Sequence, residues 1–343
     1  MNNVWQDLGK NKGGIAMKRL RFIVGLMCMM LLVGTMGNFA EAASPEKYNF
    51  VFITQWGPET MFAAVVKKGM DDAAEMLGVN AQMFFIPKEG DLAGQLSHFE
   101  TALVKKPDGV ITTIPHPTVF NKVIQKALDQ GIPVICSNTN GLVGTGHPLE
   151  KKVPYVGQDL FYSGYVLATK ASEHFSEPKE MRALVGIEIP GASWAEARAG
   201  GQIKFLEEHG CTYDKLDIGT DMAVMESRIL AYLKKHPETN VVFTQGGAGP
   251  APSGKAVRLA GYKPGEVIVA GYDIAPASIS EIKKGYVTLT IDQQPYLQGF
   301  LPVIQLYLMK KYGFSTWDVD TGLGIADKSN ADLVEGLAQK RIR

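Results

Sequence analysis

From Tyr48 onward the chain alternates short β-rich runs with longer amphipathic stretches, and this alternation constrains the fold more than any other feature. The first run reads YNFVFITQW (48–56). The next stretch, PETMFAAVVKKGMDDAAEMLG (58–78), has the pattern of a helix with proline near its first turn and glycine at its end. Strand and helix patterns joined by short turns are typical of an α/β fold with largely parallel sheets.

The alternation occurs in two series. The first reaches the strand pattern IPVICSN (132–138), and a second series starts after VPYVGQD (153–159) and continues to VTLTIDQQ (287–294). No low-complexity linker separates the series. We therefore expect two similar doubly wound lobes that share more than one connection, in agreement with a chain length that favours two domains.

The first 42 residues predict an exported protein. The basic cluster MKRLR (17–21) precedes twelve apolar or glycine residues (22–33) and a small-x-small site that ends at Ala42. Twelve residues are too few for a membrane span, which needs about 20. We expect residues 1–42 to be a cleaved signal peptide, with Met17 as an alternative start because the preceding residues make a poor basic region.

The three cysteines predict neither a lipid anchor nor a disulfide framework. Cys28 follows Leu26 and Met27, whereas a lipobox has small residues directly before the cysteine. Cys136 and Cys211 fit no disulfide or zinc pattern, and the histidines are scattered without metal spacing. We therefore expect a soluble periplasmic protein that is not a lipoprotein and has no metal site.

Charge and strand-end chemistry exclude two classes of function. The 35 basic and 35 acidic residues of the whole chain cancel, and removal of 1–42 leaves 30 basic and 33 acidic, so no nucleic-acid footprint is present. The strand ends offer no nucleophile beside a placed histidine, no metal cluster and no paired catalytic carboxylates. We expect no enzyme, no cofactor and no nucleic-acid partner.

Polar and aromatic residues complete the predicted strands. In open parallel sheets ligands bind beyond the carboxyl ends of the strands. Amides, a carboxylate, a guanidinium and aromatic rings together suit a neutral polyhydroxylated ring. The strand-end residues that we predict to bind a ligand on this ground include Trp56, His116, Asn138, Trp194, Arg198, Tyr272, Asp273 and Gln293.

Several segments resemble a known family, the periplasmic substrate-binding proteins of sugar ABC transporters of the two-lobed, ribose-binding type. The resemblance covers essentially all of 46–343. It rests on the segments AAVVKKGMDDAAEMLG, DQGIPVICSN, VGQDLFYSGYVLA, VIVAGYDIAP and TLTIDQQPYLQGF. It implies a type I periplasmic binding protein fold that closes over a sugar and presents it, as a monomer, to a permease in the inner membrane.

The resemblance also implies lobe limits and a three-crossing hinge. We expect an N-terminal lobe of 46–158 plus 294–321 and a C-terminal lobe of 159–293 plus 322–343. The hinge residues are then Gln158, Asp159 and Gln294. Asp292 is expected to serve the hinge or a cap.

Individual site residues follow from the same resemblance. Asp273 matches the family's hydroxyl-binding acid, Gln293 its hinge-proximal amide, Arg198 an arginine that contacts sugar oxygens, and Phe62 the first of two aromatics on the first helix. The second aromatic is Ala63 here, so the stacking surface would come from Trp56 or Trp194.

Departures from the family and simpler structural roles leave the ligand open. Asn138 and Thr139 stand where ribose binders have Asp and Arg, and Gly246-Gly247 replaces an Asn-Asp pair. Asp273 could instead cap the helix that follows, although ligand contact is the favoured interpretation. The tryptophans could be core residues, Arg198 a solvated helix residue and His116 a loop residue in solvent. The alternatives are a receptor for a nucleoside, polyol or signalling molecule, or a chemosensing protein.

Overall fold

The computed structural model describes residues 47–343, and the predicted signal peptide lies outside them. The described residues form twelve strands and ten α-helices. The strands are β1 (Asn49–Ile53), β2 (Asn80–Phe84), β3 (Gly109–Ile114), β4 (Val134–Asn140), β5 (Tyr155–Gly157), β6 (Arg182–Ile187), β7 (Thr212–Asp217), β8 (Val241–Phe243), β9 (Ile268–Tyr272), β10 (Leu289–Asp292), β11 (Val319–Asp320) and β12 (Gly324–Asp327).

The helices alternate with these strands. They are α1 (Met61–Leu77), α2 (Leu92–Val104), α3 (Asn121–Asp129), α4 (Leu160–Ser172), α5 (Ser193–Glu208), α6 (Met222–Lys235), α7 (Pro250–Leu259), α8 (Pro276–Lys284), α9 (Pro295–Tyr312) and α10 (Ala331–Gln339). No helix of residues 47–343 is long and apolar enough to cross a membrane.

The strands form two six-stranded sheets with equivalent strand orders. The first has the order β11-β5-β4-β3-β1-β2 and the second β12-β10-β9-β8-β6-β7. All pairs are parallel except β10 with β12, which is antiparallel. The predicted α/β fold with two similar, mainly parallel sheets is confirmed. We call each sheet with its flanking helices the first and the second lobe.

Each sheet has an apolar cluster on both faces. In the first lobe, α2 and α3 cover one face and α1 and α9 the other. In the second lobe, α4 and α5 cover one face, whereas α6, α7, α8 and α10 cover the other. Because both faces are buried, the strands are nearly continuous apolar runs, and their polar residues concentrate at the strand ends.

Glycines allow one helix pair in each lobe to pack closely. A Cβ on Gly69 of α1 would lie 2.0 Å from the Tyr296 carbonyl oxygen of α9. In the second lobe, a Cβ on Gly164 of α4 would lie 1.9 Å from the Arg198 carbonyl oxygen of α5. Since such distances are impossible for a side chain, glycine is required at both crossings. The second crossing fixes α5, the helix that carries Arg198.

The chain passes between the two sheets three times. It leaves the first sheet after Gly157, returns after Asp292, and crosses again between Asp320 and Gly324. The elements after α9 are short, and no pattern in the sequence predicted β11, β12 or α10. Of these elements, β11 completes one edge of the first sheet by pairing with β5, and β12 completes one edge of the second sheet by pairing with β10.

Candidate functional site

A cavity of about 730 Å³ lies at the carboxyl ends of the strands of both sheets. The first lobe contributes aromatic, amide and apolar side chains, and the second lobe most of the charged ones. The charged residues that line the cavity are Glu89, Glu188, Arg198, Asp273, Asp292 and Arg343. Within the described part of the chain, this cavity gathers seven of the nine predicted ligand-binding residues, namely Trp56, Phe62, Asn138, Trp194, Arg198, Asp273 and Gln293.

Arg198 is the most constrained of these residues. Its side chain is only 3% exposed. Nη1 donates to the Gln245 carbonyl oxygen at 2.7 Å and Nη2 to Gln158 Oε1 at 2.8 Å. The buried Nε has no protein partner. The guanidinium therefore has a fixed position and a donor left over for a ligand.

Tyr272 supports Arg198 and does not line the cavity. The guanidinium carbon lies 3.9 Å from the centre of the Tyr272 ring, and the tyrosine hydroxyl is 3.2 Å from Ser163 Oγ. Burial raises the pKa of Tyr272 to about 12. The ring thus acts as a cation–π platform behind the arginine.

A chain of hydrogen bonds joins the two lobes through Asp273, Gln293 and Asn138. Gln293 Nε2 donates to Asp273 Oδ1 at 2.7 Å, and Asn138 Nδ2 donates to Gln293 Oε1 at 3.2 Å. Asn138 and Asp273 both have left-handed backbones, with φ of 65° and 66°. Asn and Asp tolerate this conformation better than other side chains, which turns both polar groups off their strand ends. Burial raises the pKa of Asp273, and Arg198 partly opposes that shift.

Glu188 is a cavity residue that the sequence analysis missed. It follows β6, and its carboxylate accepts the backbone N–H groups of Gln245 at 3.0 Å and Gly246 at 2.9 Å. Burial raises its pKa to about 7, although these hydrogen bonds and Arg198 oppose the rise. The run ALVGIEI places Glu188 inside a strand pattern, whereas β6 ends one residue earlier, at Ile187.

Glu89 was also missed, and it approaches the second lobe from the loop between β2 and α2. Loss of hydration beside the cleft raises the pKa of its carboxyl, and the nearby Gln55 and Trp194 side chains oppose that rise. Gln55 itself is buried, and its Oε1 has no partner. Since Glu89 lies several residues beyond β2, its position at a strand end was not apparent from the sequence.

Tryptophans from both lobes face the cavity. Trp56 packs edge-on against Phe62, with ring centres 5.1 Å apart, and its buried Nε1 has no partner. On the other side, a Cβ on Gly246 would lie 3.3 Å from the Trp194 ring, and one on Gly247 would lie 2.8 Å from Asp273 Oδ2. The two glycines therefore give Trp194 and Asp273 the space that larger residues would occupy.

His116 lies outside the cavity lining. Its Nδ1 accepts the backbone N–H of Thr118 at 3.3 Å. The neighbouring Pro115 carbonyl oxygen accepts a hydrogen bond from Ser193 Oγ of the second lobe at 3.2 Å. The histidine thus lies beside a contact between the lobes, and its role in ligand binding stays a prediction.

The predicted hinge residues tie the three crossings together. Gln158 Nε2 donates to the Gly322 carbonyl oxygen at 2.6 Å, and Gln294 Nε2 to that of Thr321 at 2.5 Å. Asp159 caps α4 by accepting the backbone N–H of Tyr162 at 2.9 Å. Asp292 is fully buried. Its carboxylate accepts a hydrogen bond from the Gln294 backbone N–H at 2.8 Å and forms an ion pair with Arg343.

Comparison with known proteins agrees with this architecture. A family model described as a periplasmic binding protein domain matches residues 50–312. The xylose/arabinose-binding protein of Sulfolobus acidocaldarius is 30% identical over 304 residues, 85% of this chain and 74% of that protein.

Solved structures give the same result. A periplasmic sugar-binding protein from Legionella pneumophila is 33% identical, with a TM-score of 0.72 over 81% of this chain and 100% of that one. A carbohydrate transporter from Acidothermus cellulolyticus in complex with myo-inositol is 28% identical, with a TM-score of 0.73 over 87% of this chain and 100% of that one. Two sheets of equivalent strand order, a cavity at their strand ends and these similarities lead to one conclusion: the chain belongs to the periplasmic binding protein domain family.

Proposed function

We propose that this protein is an extracytoplasmic solute-binding protein that holds a sugar or sugar-like polyol between its two lobes and delivers it to an ABC importer. The observation that carries the proposal is a set of buried polar atoms on the cavity wall that lack protein partners. They are Gln55 Oε1, Trp56 Nε1 and Arg198 Nε. Buried polar groups are nearly always paired, so unpaired ones that share a cavity indicate a ligand that supplies both donors and acceptors.

The remaining wall chemistry suits a polyhydroxylated ring. Carboxylates at Glu89, Glu188 and Asp273 accept hydroxyl hydrogens, and the faces of Trp56 and Trp194 can cover C–H surface. Against these three carboxylates the same wall offers one guanidinium, since Arg343 is paired with Asp292. An additional anionic group on the ligand would therefore be repelled, and we expect neutral sugars to bind in preference to sugar acids.

The proposal includes the cellular context and the lobe limits. The chain acts as a monomer in the periplasm after loss of residues 1–42, without a lipid anchor, and its partner is a permease in the inner membrane. The lobes extend over 46–158 plus 294–321 and over 159–293 plus 322–343, and Gln158, Asp159 and Gln294 serve as the hinge. The strand memberships of the two sheets support these limits.

A thermal-shift screen tests the function directly. The mature protein is heated with a panel of pentoses, hexoses, inositols, nucleosides, amines and sugar acids. A ligand at 100 times its Kd stabilises the folded protein by about 2.7 kcal/mol, which is a measurable shift. A response to neutral sugars or polyols supports the proposal, whereas responses confined to amines or acids contradict it.

A matched pair of variants tests whether the ligand binds in the cavity. Asp273→Asn keeps the shape and the left-handed backbone but removes the charge, and we expect the thermal shift to disappear. Asp332→Asn makes the same change at a surface position that is 95% exposed in the same lobe, and it should retain the shift. Equal shifts in both variants would move the site elsewhere.

A further inference from the structure

The cavity extends past the polar groups into a space that a monosaccharide would leave empty. A hexose has about a dozen non-hydrogen atoms, so even at about 30 Å³ per atom, the volume of a water in the liquid, it would occupy about 360 Å³. The cavity has about twice that volume, 730 Å³. Pockets of this size hold larger organic ligands.

Part of the cavity wall belongs to the second lobe beyond the strand-end groups, and we call the space along this part the side chamber. The beginnings of α6, α7 and α8 surround it, because these helices cover the same face of the second sheet. Its wall is formed by Met222, Met225, Ala248, Ala251, Ala277 and Ser278. Five of these six side chains are apolar, in contrast to the carboxylates and amides at the strand ends next to them.

One polar atom in the side chamber lacks a partner. Ser278 is 0% exposed, and its Oγ has no hydrogen-bond partner although it lines the cavity. In addition, neither α7 nor α8 has a side-chain cap at its first turn. A buried hydroxyl beside uncapped helix beginnings favours an acceptor atom on whatever occupies the chamber.

We propose that the side chamber is a second subsite, which takes an uncharged, mainly apolar substituent that carries a hydrogen-bond acceptor. This inference rests on the proposed function, since the sugar ring itself occupies the strand-end groups. The ligand class is then a sugar with an attached ring, such as a nucleoside or an aryl glycoside, and not a free monosaccharide. Met222, which is 44% exposed, suits a planar substituent because methionine side chains adapt to the shape of aromatic groups.

Paired probes that share a sugar test this inference. Calorimetric affinities are compared for D-ribose with adenosine and uridine, and for D-glucose and D-galactose with their methyl and 4-nitrophenyl glycosides. We expect at least one substituted compound to bind about tenfold or more tightly than its free sugar. If free sugars bind and every substituted partner is weaker or excluded, the subsite is refuted and the proposed function stands. If no compound of either kind binds, both are contradicted.

Cavity-filling variants separate the subsite from the sugar site. Ala248 and Ala277 are both exposed to the chamber, so Ala248→Leu and Ala277→Leu should weaken the substituted compound tenfold or more and leave its free sugar within about twofold. Ala223→Leu, on the exposed surface of α6 away from the cavity lining, should change neither affinity. Equal loss of free and substituted sugars in the filled variants would show that the chamber is not a separate subsite.

Ser278→Ala tests the acceptor. It should weaken compounds whose substituent carries an acceptor about fivefold and leave methyl glycosides unchanged. An unchanged affinity for every compound would show that Ser278 does not bind the substituent, and it would contradict the proposed acceptor.

Discussion

The two walls of the cavity differ in how their polar groups are held. On the second lobe, Arg198 and Glu188 are both fixed by the strand-end segment around Gln245. On the first lobe, Gln55 Oε1 and Trp56 Nε1 have no partners. The second lobe thus holds its charged groups in place before a ligand arrives, with only Arg198 Nε unpaired among these groups, whereas the amide and indole of the first lobe have unpaired polar atoms and no such fixed charged partner.

This difference indicates how ligand binding would bias the two lobes. Beyond the hinge, the cleft is bridged by the hydrogen bond from Ser193 Oγ to the Pro115 carbonyl oxygen. A ligand held by the second lobe would add new hydrogen bonds to Gln55 and Trp56 only when the lobes close. Contacts made in the closed form alone shift a hinge equilibrium toward closure.

The largest expected effect follows from removal of the organising group. Arg198→Ala takes away two charge-assisted hydrogen bonds and the cation over Tyr272, and it leaves Glu188 and Asp273 without a nearby positive charge. We expect a loss of about 3 kcal/mol in the free energy of unfolding and of 100-fold or more in affinity. Urea denaturation measures the free energy of unfolding, and calorimetry measures the affinity.

Arg258→Ala provides the control for that experiment. Arg258 is an exposed residue of α7 that stacks on Tyr286 away from the cavity. Its removal should cost less than about 1 kcal/mol and leave the affinity unchanged. If Arg198→Ala also had a small effect on stability and none on affinity, Arg198 would not be the group that organises the second lobe.

A pH dependence of stability tests the buried acid of the same wall. The pKa of Glu188 is raised from 4.5 to about 7 in the folded protein, so the folded state binds its proton more tightly than the unfolded state. This group therefore stabilises the fold by up to about 3 kcal/mol below pH 4.5, and that contribution is lost as the pH rises to 7. Burial of Asp273 acts in the same direction.

The measurement is a comparison of variants across that pH window. Urea denaturation between pH 5 and pH 8 should show a smaller decrease of stability with pH in Glu188→Gln than in the unmodified protein. Glu100→Gln, at an exposed position of α2, should keep the original slope. Identical slopes in all three proteins would show that Glu188 does not hold a proton in the empty cavity.

On the first lobe, a tryptophan substitution tests the unpaired donor. Trp56→Phe preserves an aromatic ring against Phe62 and Phe52 but removes Nε1, which no protein atom uses. We expect stability to change by less than about 1.5 kcal/mol and the affinity to fall about tenfold. Trp317→Phe, at a position that is 50% exposed, should affect neither. A large loss of stability with unchanged affinity would make Trp56 a core residue only.

The smallest effect concerns the crossing that joins the two walls. Gln294 has a left-handed backbone with φ of 53°, and its side chain donates to Thr321. Gln294→Ala should be about 1 kcal/mol less stable than Gln294→Gly, because only glycine adopts this conformation without strain. Lys106, with φ of 49° outside the cavity, gives the control, since Lys106→Gly should stabilise without any change in affinity. An Ala variant as stable as the Gly variant would exclude backbone strain at this crossing.

The regular elements up to α9 were predictable from the sequence, but the short elements after it and the two missed acids show where prediction stopped. The pattern over 58–78 was enough for α1, since Thr60 caps its start and Gly78, with φ of 66°, ends it. Glu188 was hidden because burial of both sheet faces makes strands uniformly apolar, so the pattern does not mark where β6 ends. Glu89 was hidden because a loop residue carries no periodicity.

Local interactions thus allowed the sequence alone to determine the α/β fold, its duplication into two sheets, and seven of the residues that line the cavity, because strand periodicity and strand-end chemistry are short-range features. Tertiary structure decided which polar groups form hydrogen bonds within the protein and which have no protein partner. Arg198 has partners 40 and 47 residues away, at Gln158 and Gln245. Such pairings, and the side chamber between three helix beginnings, depend on contacts that only the folded chain creates.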